Sequence, residues 1–126
     1  MRGCDQHAVK SVIAAAVLAA MCLATSTRLI AQSTGTEARR FELRIENGQV
    51  ADDLKTIRIQ RCDSVELVWS TDRHSVVHLH GYDVEVTVDP GETRTMKFLA
   101  RATGRFPIEV HGRRQSVVLY LEVLPW

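Results

Sequence analysis

The sequence has no apolar run of the roughly twenty residues that a membrane-crossing helix requires. Its one extended apolar stretch, residues 11–24, is about fourteen residues of mostly small side chains. Arg2 and Lys10 precede it and Leu29-Ile30-Ala31-Gln32 follows, the order of a secretory signal peptide. Residues 1–31 are therefore read as a leader cut after Ala31, which makes the protein periplasmic or secreted; the competing reading is an uncleaved anchor. A lipid anchor at Cys22 is disfavoured, since Met21 stands where a small residue is needed. Cysteine is scarce: of Cys4, Cys22 and Cys62, only Cys62 would outlive the leader, so no internal disulfide is expected and stability must come from core packing. Strong charge of either sign is missing too. From Gln32 onward thirteen Lys and Arg face fourteen Asp and Glu, and no basic block exceeds two residues. Nucleic-acid binding has no electrostatic footprint here. Neither a nucleophile elbow nor an oxyanion motif is present, and Glu85, Glu92 and Glu109 show no pairing that the sequence establishes, so an enzyme is not expected.

The roughly 95 residues after the leader make one small domain. Residues 32–40 are polar and read as a flexible lead-in, leaving 41–126 for the folded domain. From Phe41 the apolar residues recur with period two. Phe41-Glu42-Leu43-Arg44-Ile45 alternates, as do Ile57-Arg58-Ile59 and Val84-Glu85-Val86-Thr87-Val88. Further strands are predicted over 65–69, 76–80, 93–100, 105–111 and 117–124, with turn residues every eight to twelve positions. Residues 51–55 offer one helical turn at most. The expected fold is all-β, a Greek-key sandwich or barrel of about seven or eight strands.

Four of the five histidines fall between His74 and His111. In Val77-His78-Leu79-His80-Gly81-Tyr82-Asp83, His78 and His80 sit at i and i+2 on a strand and so share one face. His111, beside Gly112, lies on another predicted strand. Three imidazoles converging at the end of a sandwich suit copper, with zinc as the second candidate, because neutral imidazole is a good ligand for both. Such a His₃ set leaves a coordination position open. Asp83 can add an oxygen ligand or orient an imidazole, and Tyr82 is expected to pack or to donate a hydrogen bond. His74 reads as a turn residue, and Trp69 and Met96 as core.

With the strands placed, the chain resembles the cupredoxin-like family over residues 41–124. Thr56-Ile57-Arg58-Ile59-Gln60-Arg61-Cys62-Asp63-Ser64-Val65-Glu66-Leu67 follows the family's "v-x-v-x-x-G-d-x-v-x-l", with Cys62 where the family has Gly. Val88-Asp89-Pro90-Gly91-Glu92-Thr93 looks like its Pro-Gly turn, and Phe98-Leu99-Ala100 with Gly104-Arg105-Phe106 is similar to "F-x-a…G-x-[YF]". The His-Leu-His-Gly-Tyr-Asp segment is most similar to a periplasmic subgroup, the cupredoxin-like domains of metal-uptake proteins and oxidase copper subunits. The resemblance implies copper as cofactor, His80 as counterpart of the family's first histidine ligand, and a membrane-bound oxidase or metal transporter as partner. One departure is decisive for chemistry. Blue-copper members carry their cysteine ligand six residues after the Gly of "G-x-[YF]", and here that position is Val110. Without a thiolate there is no cysteine-to-copper charge transfer, which disfavours a fast blue-copper electron carrier.

Overall fold

The computed structural model describes residues 37–112 and 116–126. The expected leader, residues 1–31, lies outside the described residues, as do most of the lead-in and residues 113–115. Among the described residues eight strands form, each where alternation places one: β1 (Arg39–Ile45), β2 (Thr56–Gln60), β3 (Ser64–Thr71), β4 (Ser75–Leu79), β5 (Val84–Val88), β6 (Thr93–Leu99), β7 (Gly104–His111) and β8 (Ser116–Leu124). A single 3-10 turn, Asp52–Leu54, separates β1 from β2. Strand β1 starts at Arg39, two residues before the expected Phe41, because its backbone already pairs with Val65 there and Arg39 reaches Asp63 at 3.1 Å.

The strands divide into a three-stranded sheet, in the order β1-β3-β6, and a five-stranded sheet, β2-β8-β7-β4-β5. The sheets stay separate, so the architecture is a sandwich and not a closed barrel. Two pairings are parallel: β1 with β3, and β2 with β8. The chain passes between the sheets repeatedly, and residues far apart in sequence become neighbours. The core is the sum of the inward positions. Leu43 and Ile45 of β1, Val65, Leu67 and Trp69 of β3 and Met96 of β6 meet Ile57, Ile59, Val77, Leu79, Ile108, Val110, Leu119 and Leu121 of the larger sheet. Trp69 and Met96 are fully buried, as their alternation requires. Truncation of a buried Trp costs about 3–5 kcal/mol, so Trp69 alone carries a sizeable part of the stability of so small a domain. At the other extreme Trp126 is exposed, with the Arg61 guanidinium 5.6 Å from its ring centre.

Cys62 departs from expectation. It occupies the β2–β3 turn with φ of +69°, the left-handed conformation that explains why the family pattern has Gly at this place. It is also disulfide-bonded in the full chain, whereas the expectation of an unpaired cysteine concerns the chain from Gln32 onward.

Candidate metal centre

The site is set by the register of β4 against β7. Val76 lies opposite His111 and His78 opposite Glu109, and the His80 amide donates to the Pro107 carbonyl at 3.1 Å just past the end of β4. Paired residues on antiparallel strands point to the same side. Ser75, Val77 and Leu79 turn inward and are buried, so His78 and His80 project from the outer face of the five-stranded sheet. On β7, Ile108 and Val110 are buried and Glu109 and His111 face outward. The pairing of β7 with β8 is interrupted by a bulge between Ile108 and Glu109, the kind of irregularity that re-aims a side chain.

The structure sets His78 beside both His80 and His111, on opposite sides along the strands. The rings of His78 and His80 lie 4.3 Å apart between centroids, and those of His78 and His111 lie 5.8 Å apart at 70°. Two imidazoles on one ion, with bonds of about 2.0 Å, have centroids roughly 5 Å apart, so the observed spacings bracket that value. The placement differs from expectation in one respect. His111 does not meet the others at the end of the sandwich; it is a diagonal neighbour of His78 on the adjacent strand of the same sheet. The four-residue turn His80-Gly81-Tyr82-Asp83 then joins β4 to β5. His74, by contrast, sits between β3 and β4, exposed, with Nδ1 2.6 Å from Asp89 Oδ1 and outside the cluster.

Carboxylates surround the imidazoles. Glu109 Oε2 lies 2.9 Å from His80 Nε2, an ion-pair contact without the alignment of a hydrogen bond. Asp83 Oδ1 lies 3.7 Å from His78 Nε2, and its side chain is otherwise open to solvent. Glu85 of β5 is directly opposite His78 on the side away from Glu109. Tyr82 both packs and hydrogen-bonds. Its ring lies 5.1 Å from Phe98 and 5.0 Å from Phe106, and its hydroxyl donates to the Ala102 carbonyl at 2.8 Å. It anchors the turn that carries His80 and Asp83 and does not join the cluster.

Two atoms test whether a metal fits. The Nε2 atoms of His80 and His111 are both buried without a hydrogen-bond partner, an arrangement that costs free energy unless something else satisfies them. Imidazole nitrogens are suitable donors for copper or zinc. As the side chains stand, no three His, Cys, Asp or Glu among the described residues are grouped so as to hold a metal ion. The position of a blue-copper thiolate tells the opposite story. Val110 points into the core, and the sulfur of Met96 is buried in the other sheet. The cleft bordered by Gly81, Tyr82, Phe98 and Arg101 does not include the histidines. Sequence reasoning missed Glu109 as a neighbour of the cluster, although its position two residues before His111 on β7 places both on one face.

No protein-family model matches the sequence, and no curated protein matches it. Solved structures do. A chain from a heme-copper terminal oxidase dimer is similar over 82% of this chain and 78% of its own, with a TM-score of 0.57 at 17% identity. The blue copper oxidase from Nitrosomonas europaea gives a TM-score of 0.57 at 21% identity, over 71% of this chain and 39% of that one. The copper nitrite reductase from the same organism gives 0.56 at 16%, over 71% and 42%. This chain thus spans about two-fifths of the length of the latter two. At these identities the likeness speaks for the fold: the domain is a cupredoxin-like β-sandwich.

Proposed function

We propose that the protein is an exported, copper-binding cupredoxin-like domain that acts in copper binding or delivery and not as an enzyme. The observation that carries the reading is the clustering of His78, His80 and His111 on one sheet face, with the His80 and His111 Nε2 atoms buried and lacking hydrogen-bond partners. Copper, when bound, supplies a Lewis-acidic centre with room for an exchangeable ligand. The chain's own contribution is to hold three imidazoles on two hydrogen-bonded strands, to keep a carboxylate within reach, and to leave the face open to solvent. An open face suits uptake from, and release to, another protein better than it suits a sheltered redox centre. Zinc is the alternative ion, since it accepts the same donors. The heme-copper oxidase neighbour favours a membrane-bound oxidase as partner, and a metal transporter serves the same chemistry. The leader-like residues 1–31 support periplasmic or secreted placement.

Two rival readings share the fold. A metal-free module would dock an oxidase or a transporter through the same surface, and a small electron-transfer protein would cycle copper in a histidine-only site. Copper content after mild purification, compared between the native chain and a His78/His80/His111 triple-alanine variant, decides among them. The expected result is about one copper per native chain and none in the variant, with both folded by circular dichroism. No copper on the native chain leaves only the metal-free module, equal copper in both refutes these histidines as the site, and a reversible reduction potential on the loaded native chain favours the electron carrier.

A further inference from the structure

We propose that β1 is the seam of a symmetric dimer: its open edge pairs antiparallel with β1 of a second copy, so that Arg40 of each chain faces Glu42 of the other. The inference is independent of the copper reading. Among the described residues β1 pairs with β3 alone, which leaves its other side at the edge of the three-stranded sheet. The parallel ladder fixes which backbone groups point there. Ile45 lies opposite Thr71 and its carbonyl accepts from the Asp72 amide at 3.2 Å, so the odd-numbered residues of β1 bond to β3. Arg40, Glu42 and Arg44 therefore turn their amides and carbonyls to the open edge. The ladder runs from Arg39 to Ile45 without a bulge, and the strand holds no Pro or Lys, the common means of blunting an edge. The other sheet edges are less open. At β2 both backbone groups of Gln60 are taken up by Asp63, and β5 and β6 pack on each other beside the turn that joins them.

Charge selects the register, because an antiparallel pair sets the edge-turned residues of one strand opposite those of the other. With the two-fold axis at Phe41, Arg40 stands opposite Glu42 and Glu42 opposite Arg40, while Arg44 faces the uncharged Ala38. Phe41, half-buried against the core, meets its own counterpart in the close, non-hydrogen-bonded pair on the axis. Moving the axis by one residue sets like against like. At Arg40 the two copies of Arg40 face each other, and at Glu42 the two copies of Glu42 do. At Leu43 the signs match again, but Arg40 would then take the place of Gln49, whose amide and carbonyl already bond Glu46 on this edge at 3.0 and 2.8 Å. One register survives. The Glu42 side chain that it uses is 80% exposed, and Arg40 of its own chain approaches it only to 3.9 Å. A self-complementary contact of this kind closes as a dimer and covers both edges at once.

The test measures the mass of the full-length chain by sedimentation equilibrium over a dilution series, with circular dichroism to confirm that each variant is folded. The native chain should be a dimer that dissociates on dilution. Glu42→Arg sets arginine against arginine in both symmetry-related pairs, and Arg40→Glu sets glutamate against glutamate. Each should weaken the dimer by about tenfold or more, since two favourable cross-strand charge pairs become repulsive. The two variants mixed in equal amounts should pair with each other, because every cross-strand pair is then of opposite sign. The double variant Arg40→Glu/Glu42→Arg exchanges the charges within one chain. It should dimerise as the native chain does, even though Arg40 has lost its 3.3 Å contact with Glu66. A native chain that is monomeric at every concentration overturns the inference. So does a dimer indifferent to both single variants, which would join through another surface, and so do two monomeric variants that stay apart when mixed.

Discussion

Gly81 links the stability of the fold to the placement of His80, and replacing it with Ala should be costly for two separable reasons. The first is backbone conformation. Gly81 has φ of +84°, and an L-residue held in the left-handed region costs about 1–2 kcal/mol. The second is space. A Cβ at Gly81 would stand 2.4 Å from Phe106 Cδ1 and 2.8 Å from Cε1, well inside contact distance. Phe106 cannot simply swing away, because it packs edge-on against Tyr82, whose hydroxyl is tied to Ala102. Relieving such a clash costs typically about 1–3 kcal/mol, so the total is about 2–5 kcal/mol. Gly91 supplies the control. Its φ is nearly the same, +82°, but a Cβ there meets nothing within 4 Å, so Gly91→Ala should incur the backbone cost alone. Urea unfolding of the two variants measures the difference directly, and in a domain of this size each kcal/mol lowers the melting temperature by about 4–8 °C. If Gly81→Ala is no more destabilising than Gly91→Ala, Phe106 does not pack over Gly81 as described and the account of the His80 turn is wrong.

Four further outcomes follow from the site and its surroundings. Single alanine substitutions of His78, His80 or His111 should each weaken copper binding, by about 1.4 kcal/mol for every tenfold loss, while His74→Ala should scarcely change it; chelator competition reads both. With Val110 in the core at the thiolate position, copper-loaded protein should lack an intense absorption near about 600 nm, and a strong blue band would mean that sulfur is a ligand after all. Burial pushes the Tyr82 hydroxyl above its ordinary range, against the opposing pull of the bond to Ala102. The folded state then holds that proton more tightly than the unfolded chain, so the contribution is complete below about pH 10 and is lost as pH rises through the folded value; Tyr82→Phe should flatten this alkaline fall in denaturant titrations, and an unchanged slope refutes the assignment. N-terminal sequencing of exported protein should begin near Gln32, and an intact Met1 on a membrane-bound product would refute a cleaved leader.

The strands were legible because each exposes one face to the core, so alternation marks it: β1, β2 and β5 read almost letter by letter. Their neighbours were not legible. Alternation says which way a side chain points and nothing about which strand lies alongside, so the parallel pairings of β1 with β3 and β2 with β8 are invisible in the chain. The site divides along the same line. That His78 and His80 share a face follows from their spacing, whereas the diagonal contact of His78 with His111 depends on the register that sets Val76 opposite His111. Glu109 falls between the two cases. Its face was deducible from His111, but its 2.9 Å approach to His80 exists only because β7 lies next to β4.

The parallel ladder between β2 and β8 also governs when the protein can fold. Ile57 finds its partner in Leu121 and Arg58 in Glu122, a separation of 64 residues. Chain closure over such a distance must be met before any contact rewards it, which slows folding. During synthesis the larger sheet therefore stays incomplete until the nine residues of β8 have emerged, and β2 waits with its hydrogen-bonding edge unsatisfied and its apolar residues unshielded. A domain whose larger sheet waits for β8 stays open for longer during synthesis. It also depends, in that interval, on helpers that keep an open edge from finding the wrong strand.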